Sequence, residues 1–129
     1  MTDCKPKYTP CAINLNKFLN EPAEKADARL HKEIVGSLIY IMTATRPDLC
    51  YVVTRLSQYM AEPTKNHMVA AKHVLRYLKA TIDQKLTYVK TSNVENIKLV
   101  GACDADWGNC ADDRKSITGY GFRVTRVFL

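Results

Sequence analysis

The stretch HKEIVGSLIYIMTATRPDLCYVVTRLSQYMAEPTKNHMVAAKHVLRYLKA, residues 31–80, decides the fold. Ile34, Leu38 and Ile41 recur at spacings of four and three, and Val35, Ile39 and Met42 make the segment apolar almost all round. That pattern predicts a buried helix. It should stop before Arg46-Pro47, because a proline lacks the N–H of the next helical bond and its ring crowds the preceding turn. Pro47 instead suits the first turn of a second helix, with Asp48 beside the positive end of that helix's dipole. Leu49, Val52, Val53, Leu56 and Met60 share one face of this second helix, and Pro63 closes it. Thr64 is the expected N-cap of a third helix running to Ala80.

The third helix has the sharpest pattern. At ~100° per residue, Lys65, Lys72, Arg76 and Lys79 fall within about 60° of one another. Met68, Ala70, Ala71, Val74, Leu75 and Leu78 occupy a broad arc opposite. One face packs and a narrow stripe is cationic. Such a stripe can follow a phosphate backbone, releasing counterions as each phosphate is neutralised. It is also what the solvated back of an amphipathic helix looks like. The helix holds no Asp or Glu, whereas a purely structural surface usually mixes signs.

Outward from this core the pattern changes on both sides. Residues 1–30 carry Pro6, Pro10 and Pro22 with little periodicity, and the residues before Pro6 and Pro10 are pushed away from helical dihedrals. The expectation is an extended leader laid over the rest. After Ala80, alternation at 85–90, a Thr91-Ser92-Asn93 turn and the run 97–103 predict two strands, and 117–129 reads as further strand. The fold class is therefore α+β, with a small three-helix unit over 31–90 and its trailing strand, followed by a short β-rich region over 97–129.

The chain has 129 residues, 47% of them apolar and 25% charged, with a formal charge of +6. This composition excludes a wholly disordered chain and makes a polyanionic partner compatible. No apolar run reaches the ~18 residues of a membrane span, and the N-terminal stretch has no signal-peptide core. Five cysteines, an odd number, suit reduced thiols inside the cell, so the expected place is cytoplasmic or nuclear. No C-x-x-C, phosphate loop or G-x-S-x-G is present. His67 and His73 point about 120° apart around their helix, which rules out a shared metal there. Asp104, Asp106, Asp112 and Asp113 cluster between 102 and 113 with no base among them. Converging carboxylates of this kind can grip Mg²⁺ pairs for phosphodiester hydrolysis, and acids in turns equally make only local hydrogen bonds.

Three segments taken together resemble one family. They are Asp3-Cys4-Lys5-Pro6 with Thr9-Pro10; the Gly36-Ser37-Leu38, Thr45-Arg46-Pro47-Asp48 and AAKHVLRYLK (70–79) motifs; and LVGACDADWGNCADDRKSITGYGF (99–122). They look like the part of a copia-type LTR-retrotransposon Pol polyprotein that links reverse transcriptase to RNase H. The resemblance implies that 1–30 is the tail of the polymerase region. It makes the three helices a thumb or connection unit that cradles an RNA/DNA or DNA duplex, with Lys65, Lys72, Arg76 and Lys79 as nucleic-acid-binding residues. It makes 98–103 the first strand of an RNase H-like mixed sheet, bearing Asp104 as its first catalytic and metal-binding (Mg²⁺) carboxylate, with 116–122 in the neighbouring strand.

The departures are as informative. Family members have Trp and Gly where this chain has Met68 and Ala80. They continue to a helical Glu and a further Asp that complete the RNase H site, and here no Glu follows Glu95. A lone carboxylate holds Mg²⁺ weakly and positions no second ion. The expectation is a catalytically incomplete fragment, Mg²⁺ being implied by the family but not stably held, with sequence-independent nucleic-acid binding. Two alternatives stay open. One is a helix-turn-helix-like DNA-binding module, although the stripe lacks the Asn or Gln that reads base edges. The other is a non-catalytic interaction protein whose partner is full-length Pol.

Overall fold

A computed structural model describes residues 4–84, 87, 99–105, 116, 118–124 and 127–128. The chain divides into two units, Met1–Leu86 and Thr87–Leu129.

In the first unit the helix pattern forms around its prolines. Helix α2 (Ala28–Ala44) begins six residues before the apolar periodicity does, because the Asp27 carboxylate accepts from the amides of Arg29 and Leu30 at 2.9 and 3.2 Å. Such a cap satisfies amides that have no partner within the helix. The helix ends at Ala44, ahead of Pro47. Pro47–Leu49 is a single 3-10 turn that leads into α3 (Cys50–Ser57). This helix stops short of Met60, so the expected second helix is shorter than its apolar pattern. Helix α4 (Lys65–Ala80) starts at Thr64 as expected, with His67 in the capping-box position that Glu or Gln usually fills. The Thr64 amide donates to His67 Nδ1 at 2.8 Å.

The leader is not extended throughout. It contains a fourth helix, α1 (Leu15–Asn20), entered through Asn14 at φ 64°, a left-handed conformation that asparagine tolerates better than most residues. Leu15 and Leu19, four apart, bury one edge of this turn and a half in the core. Asparagines fasten the rest: Asn66 donates to the carbonyls of Phe18 and Glu21, Asn16 accepts from Arg55, and Asn20 accepts from Tyr59. Further along, Lys25 and Thr64 form an antiparallel bridge that ties the approach to α2 to the start of α4. The core joins Leu15 and Leu19 with Val35, Leu38, Leu49, Val52, Val53, Leu56, Ala71 and Val74. Among the described residues no helix is long and apolar enough to cross a membrane.

In the second unit β1 (Leu99–Ala105), β2 (Thr118–Val124) and β3 (Val127–Phe128) form a sheet in the order β1-β2-β3, both pairings antiparallel. Helices in one unit and strands in the other make the fold α+β, with four α-helices among the described residues instead of the expected three. The described strands are all antiparallel, not mixed. Gly101 lies opposite Phe122, and a Cβ there would come within 3.2 Å of the ring. The Phe122 ring makes an edge contact with Tyr120. The strand expected at 85–90 lies outside the described residues, Thr87 apart.

Candidate nucleic-acid interface

Helix α4 carries the four predicted cations, but they divide. Lys65, in the first turn, ion-pairs with Glu24. This acid comes from the segment before α2, where no inspection of α4 alone would find it. Lys72 is exposed and makes no hydrogen bond or ion pair among the described residues. Lys72, Arg76 and Lys79 form a stripe over ~10 Å of helix.

Residues 4–9 lie along that stripe, antiparallel to α4. Lys79 Nζ donates to the Cys4 carbonyl at 3.4 Å and Arg76 Nε to the Lys5 carbonyl at 2.5 Å. The Lys7 amide donates to the Arg76 carbonyl at 3.4 Å, and His73 Nε2 meets the Thr9 carbonyl at 3.0 Å. Pro6 restricts the first half of this strap, and the chain bends from Tyr8 to Cys11. The strap covers part of the stripe and also brings Lys5 and Lys7 to it. Residues 4–20, like α4, contain no Asp or Glu. The surface is therefore one of two acid-free segments, and the lysines of the strap are interface candidates that helical periodicity does not reveal.

The Thr-Arg-Pro-Asp motif forms a clasp. Buried Arg46 grips Asp48 through two parallel bonds of 3.0 and 2.9 Å. The same guanidinium donates to the carbonyl and hydroxyl of Thr81, at 3.1 and 2.8 Å, and its carbon lies 5.3 Å from the centre of the Tyr77 ring. Tyr77 donates to Asp48 at 2.8 Å. A cation thus closes the C-terminus of α4, where carbonyls lack helical partners. The hydrogen bonds from Arg46 hold the Asp48 carboxyl below its usual range despite burial, and burial and the bond to Asp48 push the Tyr77 phenol up.

At the other end of α4, His31 and His67 are buried with ring centres 6.4 Å apart, and His67 stacks on Tyr59 at 4.1 Å. His67 Nδ1 accepts the Thr64 amide, which puts the imidazole proton on Nε2. Neither nitrogen of His31 nor His67 Nε2 has a partner among the described residues. Burial lowers both pKa values, and the charge of His31 lowers that of His67 further.

Asp104 is exposed on β1, opposite Gly119, and lies within the strand instead of after it. Asp106, Asp112 and Asp113 fall outside the described residues. Among the described residues no three His, Cys, Asp or Glu side chains gather closely enough to hold a metal ion. They do not by themselves fit a magnesium pair. Clefts of about 320 and 140 Å³ flank α1, and their linings hold no carboxylate.

The chain is 42% identical over 120 residues to the retrovirus-related Pol polyprotein from transposon RE2 of Arabidopsis thaliana, covering 93% of this chain and 8% of that protein. It is 35% identical over 128 residues to the corresponding polyprotein from transposon TNT 1-94 of Nicotiana tabacum, covering 95% of this chain and 9% of that one. An uncharacterized mitochondrial protein of Arabidopsis thaliana is 40% identical over 120 residues, 93% of this chain and 48% of that protein. The chain thus spans about half the length of the mitochondrial relative and under a tenth of each of these two polyproteins. No family model matches the chain. No solved structure matches it either. With identity across nearly its whole length, the chain belongs to the family of retrovirus-related Pol polyproteins from copia-type transposons.

Proposed function

We propose that this part of the polyprotein is a reverse-transcriptase thumb or connection unit running into the opening strands of an RNase H-like domain. Its role is to hold an RNA/DNA or DNA duplex by the phosphate backbone without reading base sequence. The observation that carries this reading is the placing together of two segments without acids of their own, α4 and the strap, with Lys72, Arg76 and Lys79 on the helix and Lys5 and Lys7 alongside. Cations without intervening acids suit a polyanion, and lysines act on phosphate as point charges without base specificity. On this reading catalysis needs more than Asp104, since one exposed carboxylate neither retains Mg²⁺ nor places a second ion.

Titrating the chain against two duplexes of unrelated sequence tests the reading. Equal dissociation constants, in the ~10⁻⁴–10⁻⁶ M range of non-specific binding, are expected. With Mg²⁺ present, the RNA strand of a hybrid should stay intact. A clear preference between the two sequences would favour a groove-reading helix-turn-helix module. Hydrolysis that disappears in Asp104→Asn would overturn the claim of incompleteness.

A further inference from the structure

Resting on the binding reading above, we infer that the strap of residues 4–9 is an autoinhibitory cover, occupying with its peptide carbonyls the donors that a duplex backbone would take.

The strap presents neutral oxygen acceptors to a row of cationic and N–H donors. The Cys4 carbonyl faces Lys79, the Lys5 carbonyl faces Arg76 and the Thr9 carbonyl faces His73. A phosphate oxygen in the same place would make charge-assisted bonds, roughly twice as strong as those to a neutral carbonyl. Each exchange of carbonyl for phosphate therefore favours the nucleic acid.

The strap is also weakly held. Two of its four backbone contacts are long, at 3.4 Å. None of residues 4–9 is buried, and Tyr8 is 79% exposed, so little apolar surface resists lifting. Segments with few buried contacts open at low free-energy cost. The core contact of the leader begins only at Cys11 and Leu15, which leaves residues 4–9 free to detach without disturbing α1. Pro6 and Pro10 restrict the conformations open to the detached segment, which eases its return.

The covering role and the charge of the strap act in opposite directions, and the test separates them. Three forms of the whole chain are titrated against a fluorescent RNA·DNA hybrid: unaltered, lacking residues 1–9, and carrying Lys5→Ala with Lys7→Ala. Circular dichroism checks the helical content of each. The shortened chain and the double variant both lose the two strap lysines, but only the shortened chain loses the carbonyls. A strap closed in about nine molecules of ten reduces apparent affinity about tenfold, so the shortened chain should bind about tenfold more tightly than the double variant. Hydrogen exchange supplies a second readout. The Lys7 amide, bonded to the Arg76 carbonyl in the closed form, should exchange faster when the hybrid saturates the protein. Equal affinity of the two altered forms, together with unchanged exchange at Lys7, would overturn the cover while leaving the binding reading intact. Failure of all three forms to bind would overturn both.

Discussion

Replacing Arg46 by Ala is expected to destabilise the helical unit by about 2–3 kcal/mol. Removing one partner of a fully buried ion pair costs about 3–5 kcal/mol. Here the Asp48 side chain is 37% exposed and water recovers part of that loss, so the lower figure follows. The substitution also leaves the carbonyl and hydroxyl of Thr81 without their donor at the end of α4. Urea unfolding followed by helical circular dichroism should show a lower midpoint with an unchanged slope. Arg46→Lys should recover only part of the loss, because an ammonium cannot make the paired bonds to Asp48 and still span Thr81. A midpoint shift worth less than about 0.5 kcal/mol, the ordinary surface value, would show that the clasp is incidental. The clasp also carries a pH signature. The carboxyl of Asp48 is held low in the folded state, so its contribution is present above its unfolded pKa and disappears as pH falls below about 4.

Acidification between pH 7 and 5 is the second large effect, and it belongs to His31 and His67. Both pKa values are lowered in the folded state. In the unfolded chain the imidazoles take up protons near the ordinary value of about 6.5, while the folded ones resist. The unfolded state then binds more protons, so stability is full above about pH 6.5 and falls as pH drops, until the folded histidines themselves become charged. The slope is at most about 1.4 kcal/mol per pH unit for each histidine. Local geometry supplies the cause. A proton on His67 Nδ1 would turn the acceptor of the Thr64 amide into a donor and break the capping box of α4. Each ring also lies in the first turn or so of its helix, where the dipole disfavours positive charge. Asp27 caps the helix that carries His31, and the exposed pairs Lys25–Glu62 and Lys65–Glu24 flank the start of α4. His67→Gln keeps a capping-box acceptor that does not titrate. Combined with His31→Leu, it should flatten stability between pH 7 and 5. An equally steep loss in the double variant would assign the effect elsewhere.

The helical part of the fold was legible because its signals are local. Apolar spacing, Pro47, Pro63 and the Thr64 cap place α2, the turn and α4 to within a few residues. Helix α1 was not legible. Six residues with two buried leucines fall below the window in which periodicity speaks, and the bonds from Asn66, Arg55 and Tyr59 that hold it come from some 40 residues away. Distance in sequence hid the role of Arg46 in the same way: its motif stands out, but Thr81, 35 residues on, explains it. For the candidate interface, the stripe on α4 could be read directly. That Lys65 is paired with Glu24, and that the strap both covers the stripe and adds lysines, depends on tertiary placement alone. Asp104 stands out by motif and lies within β1, while its companion acids fall outside the described residues.

On the proposed reading, Lys72, Arg76 and Lys79 meet phosphate. The direct measurement is the salt dependence of hybrid binding, log K against log salt from 50 to 200 mM, for the whole chain and for Lys72→Ala/Arg76→Ala/Lys79→Ala. Each lost phosphate contact removes about 0.9 from the slope, so the triple variant should be shallower by about 2.7 with its helical signal unchanged. Parallel lines for the two proteins would contradict the account.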